Sequence, residues 1–145
     1  MKNLRSLQNF NDLLAQLEIE KILFNQVENE PVVRIPTRLG AQDGILYIYW
    51  EPIPGVIQFI QILPFTIPKD RRKTMTTLLN RINFNIPVLG FALNEKTGVL
   101  TYRTQAFLNE NNSILPGMIG ALVNITNTNN SKIFTSTERS HNPRS

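Results

Sequence analysis

The chain has 145 residues, 41% of them hydrophobic and 18% charged, which predicts one folded domain rather than a disordered protein and leaves too little length for two ordinary domains. It contains no cysteine, which excludes disulfides, thiol nucleophiles and thiolate metal sites and is typical of a reducing cytoplasm. The formal net charge of +4 is spread thinly, without the dense basic stripe of a dedicated nucleic-acid binder, although the pI is about 9.7.

The first predicted element is an amphipathic helix. Apolar residues recur at three- and four-residue steps from Leu4 to Leu17, with Asn, Gln and Asp between them. The same stretch, "MKNLRSLQNFNDLL", lacks the apolar block of a signal peptide, and no run in the chain approaches the roughly 20 apolar residues of a membrane span. The next segment, "IEKILFNQVENE", fits either a continued helix or a loop with a short strand.

Three antiparallel strands are predicted next. In "PVVRIPT", Pro36 has no N–H to donate to a neighbouring strand, which predicts an edge position. "ILYIYW" is apolar at every position, so we expect a central strand that is covered on both faces. The turn "EPIPG" then leads into a third strand, "VIQFIQIL".

Pro68 is predicted to open a second helix, whose apolar stripe at helical spacing consists of Met75, Leu78, Leu79 and Ile82. "FALNEKTGVLTYRTQ" predicts a second hairpin, in which Gly98 supplies the left-handed residue of the turn. "ILPGMIGALV" predicts a last helix, which Ser113 can cap.

This order, α-β-β-β-α-β-β-α, predicts an α+β domain with a five-stranded antiparallel sheet over residues 1–125. From Thr126 the sequence turns to Asn, Thr and Ser without an apolar period, which predicts a flexible tail over residues 126–145.

An enzyme is not predicted. The single histidine, His141, stands in the polar tail, where nothing holds it in a productive geometry. The pairs Glu18/Glu20 and Glu28/Glu30 are spaced to share a face of an extended chain, but such pairs are typical of solvated surface. No phosphate-cradling glycine pattern or nucleophile elbow is present. We therefore expect no catalytic residue, no metal and no cofactor.

Basic residues crowd the start of the second predicted helix, with only Asp70 among them: Lys69, Arg71, Arg72 and Lys73. One interpretation is a contact site for an anion or an acidic partner, because exposed N–H groups and cations act together there. The other is a solvated helix shoulder without a binding role.

Aromatic side chains concentrate in the predicted strands: Tyr47, Tyr49, Trp50, Phe59 and Tyr102. A nucleic-acid stacking platform needs exposed aromatics interleaved with basic residues, and "ILYIYW" contains no basic residue. We therefore interpret these aromatics as core packing.

The run "LPFTIPKDRRKTMTTLLNRINFNIPVLGFALNEKTGVLTYRTQAFLNENNSILPGMIGAL" resembles the YbjN family of bacterial proteins, often labelled sensory transduction regulators. The match covers residues 63–122, and the preceding residues agree only in element order. The resemblance implies a fold like that of type III secretion chaperones and a non-enzymatic protein, often dimeric, that handles other proteins or modulates signalling. Family members continue the last helix, whereas this chain turns to "NITNTNNSKIF".

The leading functional hypothesis is therefore a cytoplasmic protein-interaction or chaperone-like module, with another protein as partner. The alternative is a nucleic-acid-associated regulator that uses the basic start of the second helix. Three helices are too few to cover both faces of a five-stranded apolar sheet, so we also expect a homodimer, with the stripe Met75, Leu78, Leu79 and Ile82 or the second hairpin at its interface. The N-terminal segment folding across the bare face would instead give a monomer.

Overall fold

The computed structural model describes residues 6–39, 42–85, 90–124 and 126. Helix α1 spans Phe10–Ile19, α2 spans Arg72–Phe84 after a 3₁₀ turn at Lys69–Arg71, and α3 covers residues 117–124 and includes Thr126. The strands are β1 Asn25–Gln26, β2 Val32–Leu39, β3 Gln42–Glu51, β4 Val56–Thr66, β5 Phe91–Leu93 and β6 Val99–Phe107.

The strands form one antiparallel sheet in the order β1-β2-β3-β4-β6-β5. The predicted α+β class and antiparallel sheet are confirmed. The sheet has six strands rather than five, because the segment that fitted helix or strand contributes the two-residue β1. No helix in the described part of the chain is long and apolar enough to cross a membrane.

Helix α1 begins later than its apolar period predicts. The side chain of Asn9 accepts a hydrogen bond from the Asp12 N–H (2.9 Å) and so caps the helix immediately before Phe10. Leu7 is buried in an extended segment instead, where its N–H donates to the Ile114 carbonyl (2.7 Å). This pairing also keeps Ile114 out of α3, so Ser113 does not cap that helix.

Strand β2 lies next to the edge strand, where the sequence predicted the edge itself. The Val27 N–H donates to the Val32 carbonyl (2.9 Å), so the backbone groups of Val32, Arg34 and Pro36 point toward β1. Strand β1 pairs only with Val33 and Arg34 and does not reach Pro36. The edge prediction rested on the missing N–H of Pro36. In the structure this N–H would point to the side of β2 on which β1 has already ended, so no hydrogen bond between strands is lost there.

All three helices lie on one face of the sheet, which we call the covered face. On β4 this face carries Ile57, Phe59, Gln61 and Leu63. Helices α1 and α3 pack over β2, β3 and β4 in a first apolar cluster that includes Leu13, Leu17, Leu46, Ile48 and Ile119. Helix α2 packs over β5 and β6 in a second cluster that includes Met75, Leu79, Phe91, Leu100 and Tyr102.

Polar side chains separate the two clusters. Gln61 is fully buried between them, and its amide nitrogen donates to the Thr37 hydroxyl (3.0 Å) and the Ile45 carbonyl (3.1 Å). Its Oε1 has no hydrogen-bond partner among the described residues. Thr104, which lies diagonally across from Gln61 on β6 and opposite Phe59, shares a hydrogen bond with the buried hydroxyl of Thr126 (3.1 Å). Thr126, where the predicted tail starts, thus belongs to the domain, and the rest of that tail lies outside the described residues.

The prediction that β3 is covered on both faces is wrong for the described residues. Leu46, Ile48 and Trp50 are buried on the covered face, whereas Tyr47 and Tyr49 on the other face are only half-buried. Both faces of the strand are apolar, but the described helices supply a cover for one of them.

The β5–β6 turn depends on Gly98, whose φ is +79°. Its N–H donates to the Asn94 carbonyl (2.7 Å), and its own carbonyl accepts from the Ile67 N–H (2.8 Å). A Cβ at this position would lie 2.4 Å from the Ile67 carbonyl oxygen. Glycine is thus required by the backbone conformation and by the close approach of the chain before α2.

Replacing Gly98 with valine should lower the free energy of unfolding by at least about 1 kcal/mol, because a β-branched residue resists positive φ and the new Cβ meets the Ile67 carbonyl. Thermal unfolding followed by circular dichroism measures the change. Gly117→Ala is a suitable control, since a Cβ there meets nothing within 4 Å. An unchanged melting temperature in Gly98→Val would contradict this account of the turn.

Candidate interaction surface

The side of the sheet opposite the covered face carries no helix of the described chain, and we call it the open face. Its side chains come from alternate positions of the four longest strands. They are Val32, Arg34, Pro36 and Arg38 on β2, Asp43, Ile45, Tyr47, Tyr49 and Glu51 on β3, Val56, Gln58, Ile60 and Ile62 on β4, and Thr101, Arg103, Gln105 and Phe107 on β6.

The open face is more apolar than a solvated sheet face requires. Ile45, Ile60 and Ile62 stand at its centre and are half-buried by their neighbours alone. Phe107 is 77% exposed at the end of β6. A contiguous apolar surface of this kind is a mark of an interaction site in a soluble protein.

Two arginines flank the tyrosines on this face. Arg34, Tyr47, Ile60 and Arg103 form one row across β2, β3, β4 and β6. The guanidinium of Arg34 lies 5.8 Å from the centroid of the Tyr47 ring, within the range of a cation–π contact. The rings of Tyr47 and Tyr49 have centroids 6.1 Å apart. Sequence reasoning missed this arrangement because the basic residues come from neighbouring strands.

A shallow groove of about 450 Å³ crosses the β2 side of the open face. Its lining includes Glu30 and Arg34 together with Tyr47 and Tyr49. Glu30 precedes β2, but the Trp50 N–H donates to the Pro31 carbonyl (3.1 Å) and extends the ladder to that point. Continuing the register places Glu30 opposite Glu51.

Burial and neighbouring charges act on Tyr49. Burial raises the pKa of its hydroxyl above the ordinary value of 10.0, Tyr47, Glu30 and Glu51 raise it further, and Arg103 opposes them. The phenol is therefore a neutral hydrogen-bond donor at physiological pH. The same neighbours show that Tyr49 lies within reach of two carboxylates and one guanidinium.

The charges of the open face balance. Arg34 and Arg103 are matched by Glu30 and Glu51, and Glu51 accepts a hydrogen bond from the Gln58 amide. At the far end of the face Arg38 pairs with Asp43 at 2.8 Å. The surface is thus amphipathic and close to neutral, which suits a protein partner better than a phosphate backbone.

Two features near the edges of the sheet disfavour an added strand. On the β5 edge, the side chain of Asn83 accepts from the Phe91 N–H (2.7 Å) and donates to the Phe91 carbonyl (2.8 Å). On the other side of the sheet, the part of β2 that β1 does not reach contains Pro36, which offers no donor. These features make the open face the better candidate for a docking surface.

The basic residues at the start of α2 divide into two kinds. The guanidinium of Arg72 donates to the carbonyls of Ile67 (2.9 Å), Glu95 (3.0 Å) and Lys96 (3.1 Å) and so holds the β5–β6 turn. Arg71 is half-buried and has partners of its own, whereas Lys69 and Lys73 are exposed. The structure thus gives Arg72 a structural role, and the binding role of the other three stays a prediction.

The apolar stripe of α2 packs inside its own chain. Met75 and Leu79 are buried in the second cluster, and Leu78 and Ile82 are half-buried against it. An interface through this stripe stays a prediction, but little of its apolar surface is free. The bare surface that motivated the homodimer lies on the other side of the sheet.

No candidate metal site occurs among residues 6–39, 42–85, 90–124 and 126, where no three His, Cys, Asp or Glu side chains group together. The described chain is thus an α+β protein whose distinctive chemistry is a broad amphipathic sheet face. Among solved structures it is similar to YbjN from E. coli, a protein described as a candidate transcription regulator, with a TM-score of 0.68 over 86% of this chain and 87% of that chain. The sequence identity is 12%, so the likeness shows the fold. No family model and no curated protein matched the sequence.

Asn83→Ala should lower the free energy of unfolding by about 1–3 kcal/mol, because both backbone groups of the buried Phe91 lose their partner. Urea unfolding measures the change. Asn80→Ala, an exposed position on the same helix, is the control and should change stability by no more than about 0.5 kcal/mol. Equal effects of the two substitutions would contradict a specific role for Asn83.

Arg72→Met should destabilise the fold by about 1 kcal/mol or more, since three carbonyl groups lose a charged donor. Lys73→Met, which removes an exposed charge from the next position, should have little effect. Amide exchange of the Gly98 turn, measured by NMR, should rise in the Arg72 variant alone. Unchanged exchange there would show that the turn does not depend on Arg72.

Proposed function

We propose that this protein is a non-enzymatic regulatory module of the YbjN family, with a fold like that of type III secretion chaperones, and that it acts by binding proteins through the open face. One observation carries the proposal: half-buried isoleucines and tyrosines form a continuous surface that no helix of the described chain covers. The sequence resemblance over residues 63–122 and the structural likeness to YbjN support the family. The description of YbjN as a candidate transcription regulator supports a regulatory role.

The chemistry of the open face favours protein as the ligand. Aromatic and arginine side chains, both enriched at protein interfaces, alternate there with isoleucines that offer apolar contact area. Tyr47 and Tyr49 contribute large contact surfaces with hydroxyls that can hydrogen-bond. Arginines beside tyrosines are common at the residues that carry most of the energy of an interface.

A second candidate function is nucleic-acid binding, and the specific observation in its favour is the row in which Arg34 and Arg103 flank Tyr47. Bases stack on such rings, and the arginines would contact phosphates. Glu30 and Glu51 weaken this alternative, because they place negative charge beside Tyr49 on the same surface. The exposed Lys69 and Lys73 lie at the start of α2, on the covered side.

Capture from native lysate with immobilised protein tests the proposal. Wild-type protein should recover one protein in near-equal amount, and Ile60→Glu should lose it, because a carboxylate then stands at the centre of the apolar surface. Met118→Glu, on the exposed side of α3, is the control and should recover the same protein. Circular dichroism establishes that both variants are folded.

Two results would contradict the proposal. Recovery unaffected by Ile60→Glu would place the binding surface elsewhere. Recovery abolished by nuclease, together with micromolar binding of labelled single-stranded DNA that weakens steeply with salt, would favour the nucleic-acid alternative.

A further inference from the structure

The open face has a row of uncharged residues that divides it in two. Val32, Tyr49, Gln58 and Gln105 stand side by side across β2, β3, β4 and β6. We call these four residues the axial row. Each of them can face a copy of itself: valine against valine is apolar contact, and tyrosine and glutamine both donate and accept hydrogen bonds.

The residues on the two sides of the axial row form complementary pairs on every strand. The pairs lie two residues before and two residues after the axial residue of the same strand. They are Glu51 and Tyr47 on β3, Val56 and Ile60 on β4, and Phe107 and Arg103 on β6. On the β2 line they are Arg34 and Glu30, which belongs to the turn before β2 and lines the groove of the open face together with Arg34 and Tyr49.

We propose that the open face binds the open face of a second copy of this chain, about a two-fold axis that runs across the strands along the axial row. This inference rests on the proposed function, in that the open face binds protein. The axis places each residue before the axial row against the residue after it on the partner. Glu30 then faces the partner's Arg34, and Arg34 faces the partner's Glu30.

The other strands contribute matching contacts under the same axis. The Glu51 carboxylate faces the partner's Tyr47 hydroxyl, and Val56 faces the partner's Ile60. Arg103 faces the exposed ring of the partner's Phe107, which gives a cation–π contact. Two sheets pack about 10 Å apart, and the paired rows lie about 7 Å from the axis, so long side chains such as Arg34 and Glu30 can meet across the gap.

Other placements of the two-fold axis bring like charges together. An axis along the row of Tyr47 places Arg34 against the partner's Arg34, and Arg103 against the partner's Arg103. An axis parallel to the strands between β3 and β4 places Arg34 against the partner's Arg103. Like charges opposed in a dry interface are strongly unfavourable, so the charge pattern favours the axial row over these two placements.

Light scattering on a size-exclusion column over a dilution series tests the dimer. Wild-type protein should have twice the chain mass of 16.6 kDa at micromolar concentration. In the dimer, Arg34→Glu places a carboxylate opposite the partner's Glu30, and Glu30→Arg places a guanidinium opposite the partner's Arg34. Each variant should therefore weaken the dimer about tenfold or more. Arg38→Glu, on the same strand but remote from the axial row, is the control and should leave the mass unchanged.

Mixing the two weakened variants gives the decisive result. Arg34→Glu carries acid at both positions and Glu30→Arg carries base at both, so an equimolar mixture should form a heterodimer although each variant alone is monomeric. The double variant Glu30→Arg/Arg34→Glu should also recover the dimer. A loss of folding in either variant would be visible in its circular dichroism and would not be restored by mixing.

Four outcomes would overturn the inference. A mass of one chain across the whole wild-type series excludes the dimer, and the proposed function survives if Ile60→Glu still abolishes capture of another protein. A wild-type dimer that both charge reversals leave intact places the interface elsewhere, for example on the α2 stripe. A mixture that stays monomeric contradicts the pairing of Glu30 with Arg34. A dimer that forms only with co-purified nucleic acid assigns the face to that ligand.

Discussion

Strands β3, β4 and β6 place alternate side chains on opposite sides of one sheet, and every helix of the described chain packs on the same side. Each strand therefore divides its residues between the covered face and the open face. Trp50 and Tyr49 are neighbours in sequence, yet one is buried under helices and the other is half-exposed. A register slip of one residue would exchange the two sets, so the pairing of β3 with β4 fixes both the core and the composition of the open face.

The apolar periods in the sequence were sufficient to predict the class of the fold and the order of its main elements. Gly98 could be placed at a turn because the residues around it alternate on both sides. The start of α1 was misplaced because Leu7 continues the helical spacing, while the capping side chain of Asn9 decides where the helix begins. The run "ILYIYW" showed that both faces of β3 are apolar, but no local pattern states which face the helices of the same chain will cover.

The candidate surface was less predictable because strand pairing assembles it. Arg34 and Arg103 are 69 positions apart by their numbers, and they flank Tyr47 only because four strands lie side by side. The basic run at the start of α2 shows the opposite case, in which residues adjacent in sequence do not form one surface. Arg72 belongs to this run, but its guanidinium donates to the carbonyl of Ile67 instead. The available signal was the alternation of Glu30, Val32 and Arg34, which places opposite charges at equal distances from an apolar residue.

The polar boundary between the two apolar clusters divides the buried core into two units. Gln61 and Thr104 interrupt the contact between the side chains under α2 and those under α1 and α3, whereas β4 and β6 run through both halves. The unit formed by α2 and β5 can open locally and leave the larger cluster intact, in the manner of a separate foldon. The centre of the open face lies on the strands of the larger unit, so opening at the α2 end leaves that surface in place.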